Sequence, residues 1–155
     1  MRYETQFVDL QAQHTAVVKG HVPLAGIGEF LGSAFTEVIK VIDQQGLHPT
    51  GAPFARYRVT DQEFDVEAGF PVSDVVKPEG RVEADELPAG RVARTMHVGA
   101  YDEVDKAYEA ATAWLTDEGC VTVGAPWECY LDGPEVENPR TEVFIPCTTA
   151  HPVHE

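Results

Sequence analysis

Residues 119–130, GCVTVGAPWECY, repeat in order what residues 46–57, GLHPTGAPFARY, already present. Each stretch opens on a glycine and carries Gly-Ala-Pro, at 51–53 and at 124–126. An aromatic follows, Phe54 or Trp127, with a tyrosine three residues on, Tyr57 or Tyr130. The match extends outward. Glu67 lies four residues before Pro71 and Glu142 four before Pro146, and a His-Val pair occurs at 21–22 and again at 97–98. An ordered set of this kind marks an internal repeat, which sets the architecture before any motif is read.

Both halves share one layout. Residues 3–9, 15–22, 81–86 and 91–98 alternate or run apolar as strands do. Ile27, Leu31, Ala34, Phe35, Val38 and Ile42 recur at helical spacing, as do Ala100, Val104, Ala107, Tyr108, Ala111, Trp114 and Leu115, giving one apolar stripe per helix. Gly46 and Gly119 sit where a left-handed cap ends each helix. Residues 54–60 and 64–68 form one further strand pair, and residues 127–131 and 141–146 the other. Residues 69–80 read as a linker, and residues 132–140, rich in Gly, Pro and Asn, as a loop. The expected fold is α+β, with duplicated β-β-α-β-β halves related by a pseudo-two-fold. It has an antiparallel sheet and two long helices. Residues 1–147 are expected to form one domain, with half-repeats at about 1–72 and 80–147 and a loose tail at 148–155.

Composition removes several classes of function. The 155-residue chain carries 26 acidic against 11 basic side chains, a net charge of -15, which repels phosphate backbones and argues against direct nucleic-acid binding. Cys120, Cys129 and Cys147 show no CxxC spacing and read as reduced thiols, which points to the cytoplasm. Neither a signal peptide nor a membrane span is legible. Ser33 and Ser73 lie in no nucleophile elbow, and Gly26-Ile27-Gly28 lacks the rest of a phosphate-binding loop, so no cofactor is expected. His151 and His154 do not make a zinc motif, and His97 reads as a satisfied core histidine, so no metal is expected either.

Residues 87–146 carry Leu-Pro-Ala-Gly before a strand, Val-Gly-Ala-Tyr at 98–101, the Gly-Cys to Gly-Ala-Pro-Trp turn, and a closing Thr-Glu-Val-Phe-Ile-Pro strand at 141–146. This set resembles the GyrI-like domain, also called the AraC-type or bacterial transcription-activator effector-binding domain. The likeness covers nearly the whole chain and is stronger in the second half. It implies a small-molecule cleft between the repeats, in a domain found fused to DNA-binding regulators or free-standing, and this chain reads as a free-standing member. It also implies an acidic residue on the last strand that meets lipophilic cations among aromatic rings, and Glu142 matches that position.

The physical sense is direct: a carboxylate attracts the charge, and ring faces add cation–π contacts without demanding one hydrogen-bond pattern. Expected ligand residues are Glu142, Trp127, Tyr130 and Tyr101, with Tyr57, Phe30 and Glu67 as first-half counterparts. Plainer readings stand beside these. Trp127 and Phe54 suit plugs at a sheet end, Tyr130 and Tyr57 suit ordinary strand positions, and Glu67, with Glu63 and Asp65, suits a solvated face. Tyr108 and Trp114 fall on the helical stripe and read as core. Two other functions remain open. One is a hydrolase of cyclopropane-bearing electrophiles, as the resemblance implies for some free-standing members, with Glu142 and Tyr130 as candidate catalytic groups. The other is an acidic protein-interaction module such as a gyrase inhibitor, with a protein partner.

Overall fold

The computed structural model describes residues 3–60, 63–100, 103–133 and 135–149. The elements in chain order are β1 (Thr5–Leu10), β2 (Gln13–Val22), α1 (Ile27–Gln44), β3 (Phe54–Thr60), β4 (Glu63–Pro71) and β5 (Val82–Leu87). They continue as β6 (Gly90–Val98), α2 (Asp105–Asp117), β7 (Cys120–Thr122), β8 (Trp127–Tyr130) and β9 (Arg140–Thr149). The expected α+β class is the observed one, antiparallel strands with two helices. No helix among the described residues is long and apolar enough to cross a membrane.

Two compact units divide the chain. One is Gln11–Ala89; the other joins the N-terminal segment through Leu10 to the chain from Gly90 onward. The first has strand order β3-β4-β2-β5 and the second β8-β9-β6-β1, with β7 paired to the end of β9. The orders correspond element by element. β1 does not fold back on β2; it pairs with β6, from Thr5↔Thr95 to Leu10↔Gly90, while β5 pairs with β2. The links explain why. Gln11-Ala12 and Pro88-Ala89 hold no residue suited to the left-handed positions of a tight hairpin, so each strand passes onward instead of turning back.

In each unit a helix covers one face of the strands. Ala34, Val38, Val41 and Ile42 of α1 pack on Ala16, Val18, Ala68 and Val82. Ala107, Ala111 and Leu115 of α2 pack on Ala93, Val143 and Ile145. Gly46 closes α1 at φ 71°: its own N–H donates to the Asp43 carbonyl and that of Leu47 to Ile42, the paired bonds of a Schellman cap.

Three local expectations change. The linker begins later than residue 69, because β4 runs to Pro71 and is paired on both sides, with Gly69 between Val17 and Phe54. β7 was not expected; it pairs Cys120 with Thr149 and Thr122 with Cys147, and so carries β9 past Cys147 through Thr148 and Thr149. The rest of the expected tail, 150–155, lies outside the described residues. The two His-Val pairs are one residue out of register. Glu67 pairs with Lys19 and Glu142 with Met96, so the position matching His97 is Gly20, not His21. That slip sends His21 to the surface and His97 to the core.

Candidate functional site

Strand β8 sorts the chemistry into two faces. Trp127 opposes Phe144 and Cys129 opposes Glu142, while Glu128 opposes Val143 and Tyr130 opposes Thr141. Side chains alternate along a strand, so the first set and the second lie on opposite sides of the sheet. Val143 belongs to the core under α2, which makes the Glu128 set the helix-covered one. β6 extends both, adding Arg94 and Met96 to the face of Glu142 and His97 to the face of Tyr130.

On the helix-covered face, Glu128 is buried at 6% exposure. The Tyr108 hydroxyl of α2 donates to its Oε2 and the Tyr130 hydroxyl to its Oε1, each at 2.8 Å. Burial pushes the Glu128 carboxyl above its ordinary range, and the two phenolic hydrogen bonds and the nearby His97 offset only part of that rise. Among the described residues it has no Lys or Arg partner. His97 is buried with both ring nitrogens used. Nε2 donates to the Ala100 carbonyl at 2.8 Å, and Nδ1 hydrogen-bonds with the Tyr3 hydroxyl at 2.9 Å. Thr141, fully buried, has a hydroxyl with no hydrogen-bond partner among the described residues.

The other face is different. Arg94 donates from both Nε and Nη2 to one oxygen of Glu142, Oε2; the side chains are 29% and 18% exposed. Glu142 therefore has its charge answered from within the sheet. Trp127, 1% exposed, stacks on Phe144 with ring centroids 5.6 Å apart. The Cys129 thiol is pushed up to about 12, by burial first and then by the carboxylates of Glu142 and Glu128, which leaves it an unreactive thiol.

The expected residues thus fall in several places. Tyr130 meets Glu128, a residue the sequence reading passed over, while Glu142 and Trp127 share the opposite face. Glu142 and Tyr130, the candidate catalytic pair, are separated by the sheet. Tyr57 lies on the α1 side of β3 opposite Val66, edge-on to Phe64 with centroids 6.3 Å apart. Phe30 is half-buried with its ring against Gly20, where a Cβ would come within 2.4 Å of Phe30 Cε1. Glu67 lies on the face away from α1 with Arg56 and Lys19 in register; burial, then Asp85, pushes its carboxyl up to about 7 against those two cations. Tyr101 lies outside the described residues. A separate open groove of about 450 Å³ runs along α2, lined by Tyr3, Glu103, Lys106, Glu109 and Ala110.

The chain belongs to the GyrI-like small molecule binding domain family, whose model matches residues 3–148. Among solved structures the fold is similar to the EcmrR C-terminal domain, with a TM-score of 0.84 and 22% identity over 96% of this chain and 99% of that one. EcmrR in its DNA complex matches with a TM-score of 0.81 and 23% identity over 95% of this chain; the chain spans 58% of the length of that protein. SAV2435 bound to tetraphenylphosphonium matches with a TM-score of 0.67 and 16% identity, covering 94% of each chain. A hydrolase from Listeria innocua matches with a TM-score of 0.69 and 14% identity over 94% of this chain and 92% of that one. No curated protein matches the chain in sequence.

Proposed function

We propose that the domain binds an apolar organic cation and that Glu128, not Glu142, is the carboxylate that receives it. One observation carries this reading: Glu128 is buried, holds two tyrosine hydroxyls and has no Lys or Arg partner among the described residues. An ionised carboxylate in that setting is costly until a cation arrives, and the phenol rings of Tyr108 and Tyr130 offer the π-faces such a cation prefers. Glu142, already held by Arg94, has much less to gain from a second cation. The likeness to SAV2435, a protein solved with tetraphenylphosphonium, lends support to the ligand class. That Glu142 and Tyr130 lie on opposite faces counts against pairing them as base and acid of a hydrolase.

Calorimetric titration with tetraphenylphosphonium tests the proposal. Glu128→Gln keeps the shape and is expected to weaken binding by about tenfold or more, whereas Glu142→Gln is expected to change it little. Equal binding by wild type and Glu128→Gln would sink the assignment. The pH dependence has a fixed sign. Because burial raises the Glu128 pKa, the carboxylate is charged only above that raised value, so affinity is full at higher pH and is lost as pH falls through it. Tetraphenylphosphonium does not titrate, so the whole change belongs to the protein.

A further inference from the structure

Thr141 is the one side chain in the unit of Glu128 whose buried oxygen has no hydrogen-bond partner among the described residues. Its neighbours in register are Tyr130 on β8 and His97 on β6, both on the α2 face. Tyr130 sends its hydroxyl to Glu128 and His97 spends both nitrogens elsewhere, so neither satisfies the threonine. Val143 and Ile145 follow on the same face of β9, both buried. Valine has the shape of threonine, favours strands equally and brings no polar atom to bury, so stability alone favours Val at 141. A hydroxyl kept dry and unpaired beside a buried carboxylate is a group waiting for a ligand.

We propose that Thr141 is a specificity-determining residue, and that the cation received at Glu128 carries an N–H group that donates to Thr141 Oγ1. The inference rests on the Glu128 reading and narrows it. A site with a buried acceptor discriminates against the analogue lacking the donor, because that analogue leaves the acceptor unpaired. The favoured class is therefore a planar aromatic cation bearing secondary amines, in preference to one whose nitrogens are fully alkylated.

Two dyes of equal charge make the comparison: rhodamine 6G, whose ethylamino groups carry N–H, and tetramethylrhodamine ethyl ester, whose nitrogens carry none. Wild type is expected to bind rhodamine 6G about three- to tenfold more tightly. Thr141→Val should erase that preference while raising the unfolding midpoint, and Thr141→Ser, which keeps the hydroxyl, should retain it. A purely structural threonine would move stability without moving the ratio of the two affinities. Equal binding of the dyes by wild type, or a preference that survives in Thr141→Val, overturns the inference. Glu128→Gln separates the two levels: if it leaves binding of both dyes unchanged, or if neither dye binds wild type, the Glu128 reading falls and the inference with it.

Discussion

Gly69→Ala is expected to leave little folded protein. Gly69 sits within β4, paired to Val17 on one side and Phe54 on the other, and a Cβ built there would lie 1.9 Å from the Ala16 carbonyl oxygen. The obstacle is backbone, so no rotamer change relieves it; β2 and β4 must move apart. Their pairing runs from Thr15↔Pro71 to Val22↔Phe64 and carries much of the Gln11–Ala89 sheet. Overpacking in a tight site costs about 1–3 kcal/mol, and a clash with a fixed strand belongs at or above the top of that range. Chemical denaturation of the variant checks it. A midpoint within experimental scatter of wild type would mean that the two strands part easily.

Trp127→Ala is expected to cost about 3–5 kcal/mol, the usual range for emptying a buried aromatic position. Trp127 is 1% exposed and stacked on Phe144, and it anchors β8, a strand of only 4 residues, against β9. Trp127→Phe keeps most of the volume and should recover most of the stability. It also separates anchoring from ligand contact. Because Trp127 lies on the face opposite Glu128, Trp127→Phe should bind tetraphenylphosphonium within about twofold of wild type. A tenfold loss in a folded Trp127→Phe would restore Trp127 to the ligand wall.

The sequence made the architecture legible and misdirected attention within the site, for related reasons. Hydrophobic spacing located both helices, and the Gly-Ala-Pro, tyrosine and glutamate matches mark equivalent positions of the two units: Tyr57 opposes Val66 as Tyr130 opposes Thr141. A repeat, however, highlights what the halves share. The position in β3 that matches Glu128 is Ala55, so the buried acid is unique to the second half and no internal match points to it. Its signal was the alternation within WECY: an acid between Trp127 and Cys129 must face away from both. Arg94 escaped notice because its partner is 48 residues distant, and only strand register brings them together. The pairing of β1 with β6 was hidden likewise, since two alternating strands in sequence look the same whether they fold on each other or not.

The exchange of first strands gives the chain an order of completion during synthesis. The Gln11–Ala89 unit is continuous, so every strand it needs has been synthesised once β5 is made. β1 is made first, yet its partner begins at Gly90, and until then its Phe7 and Val8 have no sheet to join. The unit containing Glu128 closes last, after β9, around a strand made before all of the Gln11–Ala89 unit. Such long-range pairing slows folding and leaves an unpaired strand exposed in the meantime. A released fragment ending at Ala89 should therefore already protect β2 to β5 from hydrogen exchange while β1 remains open.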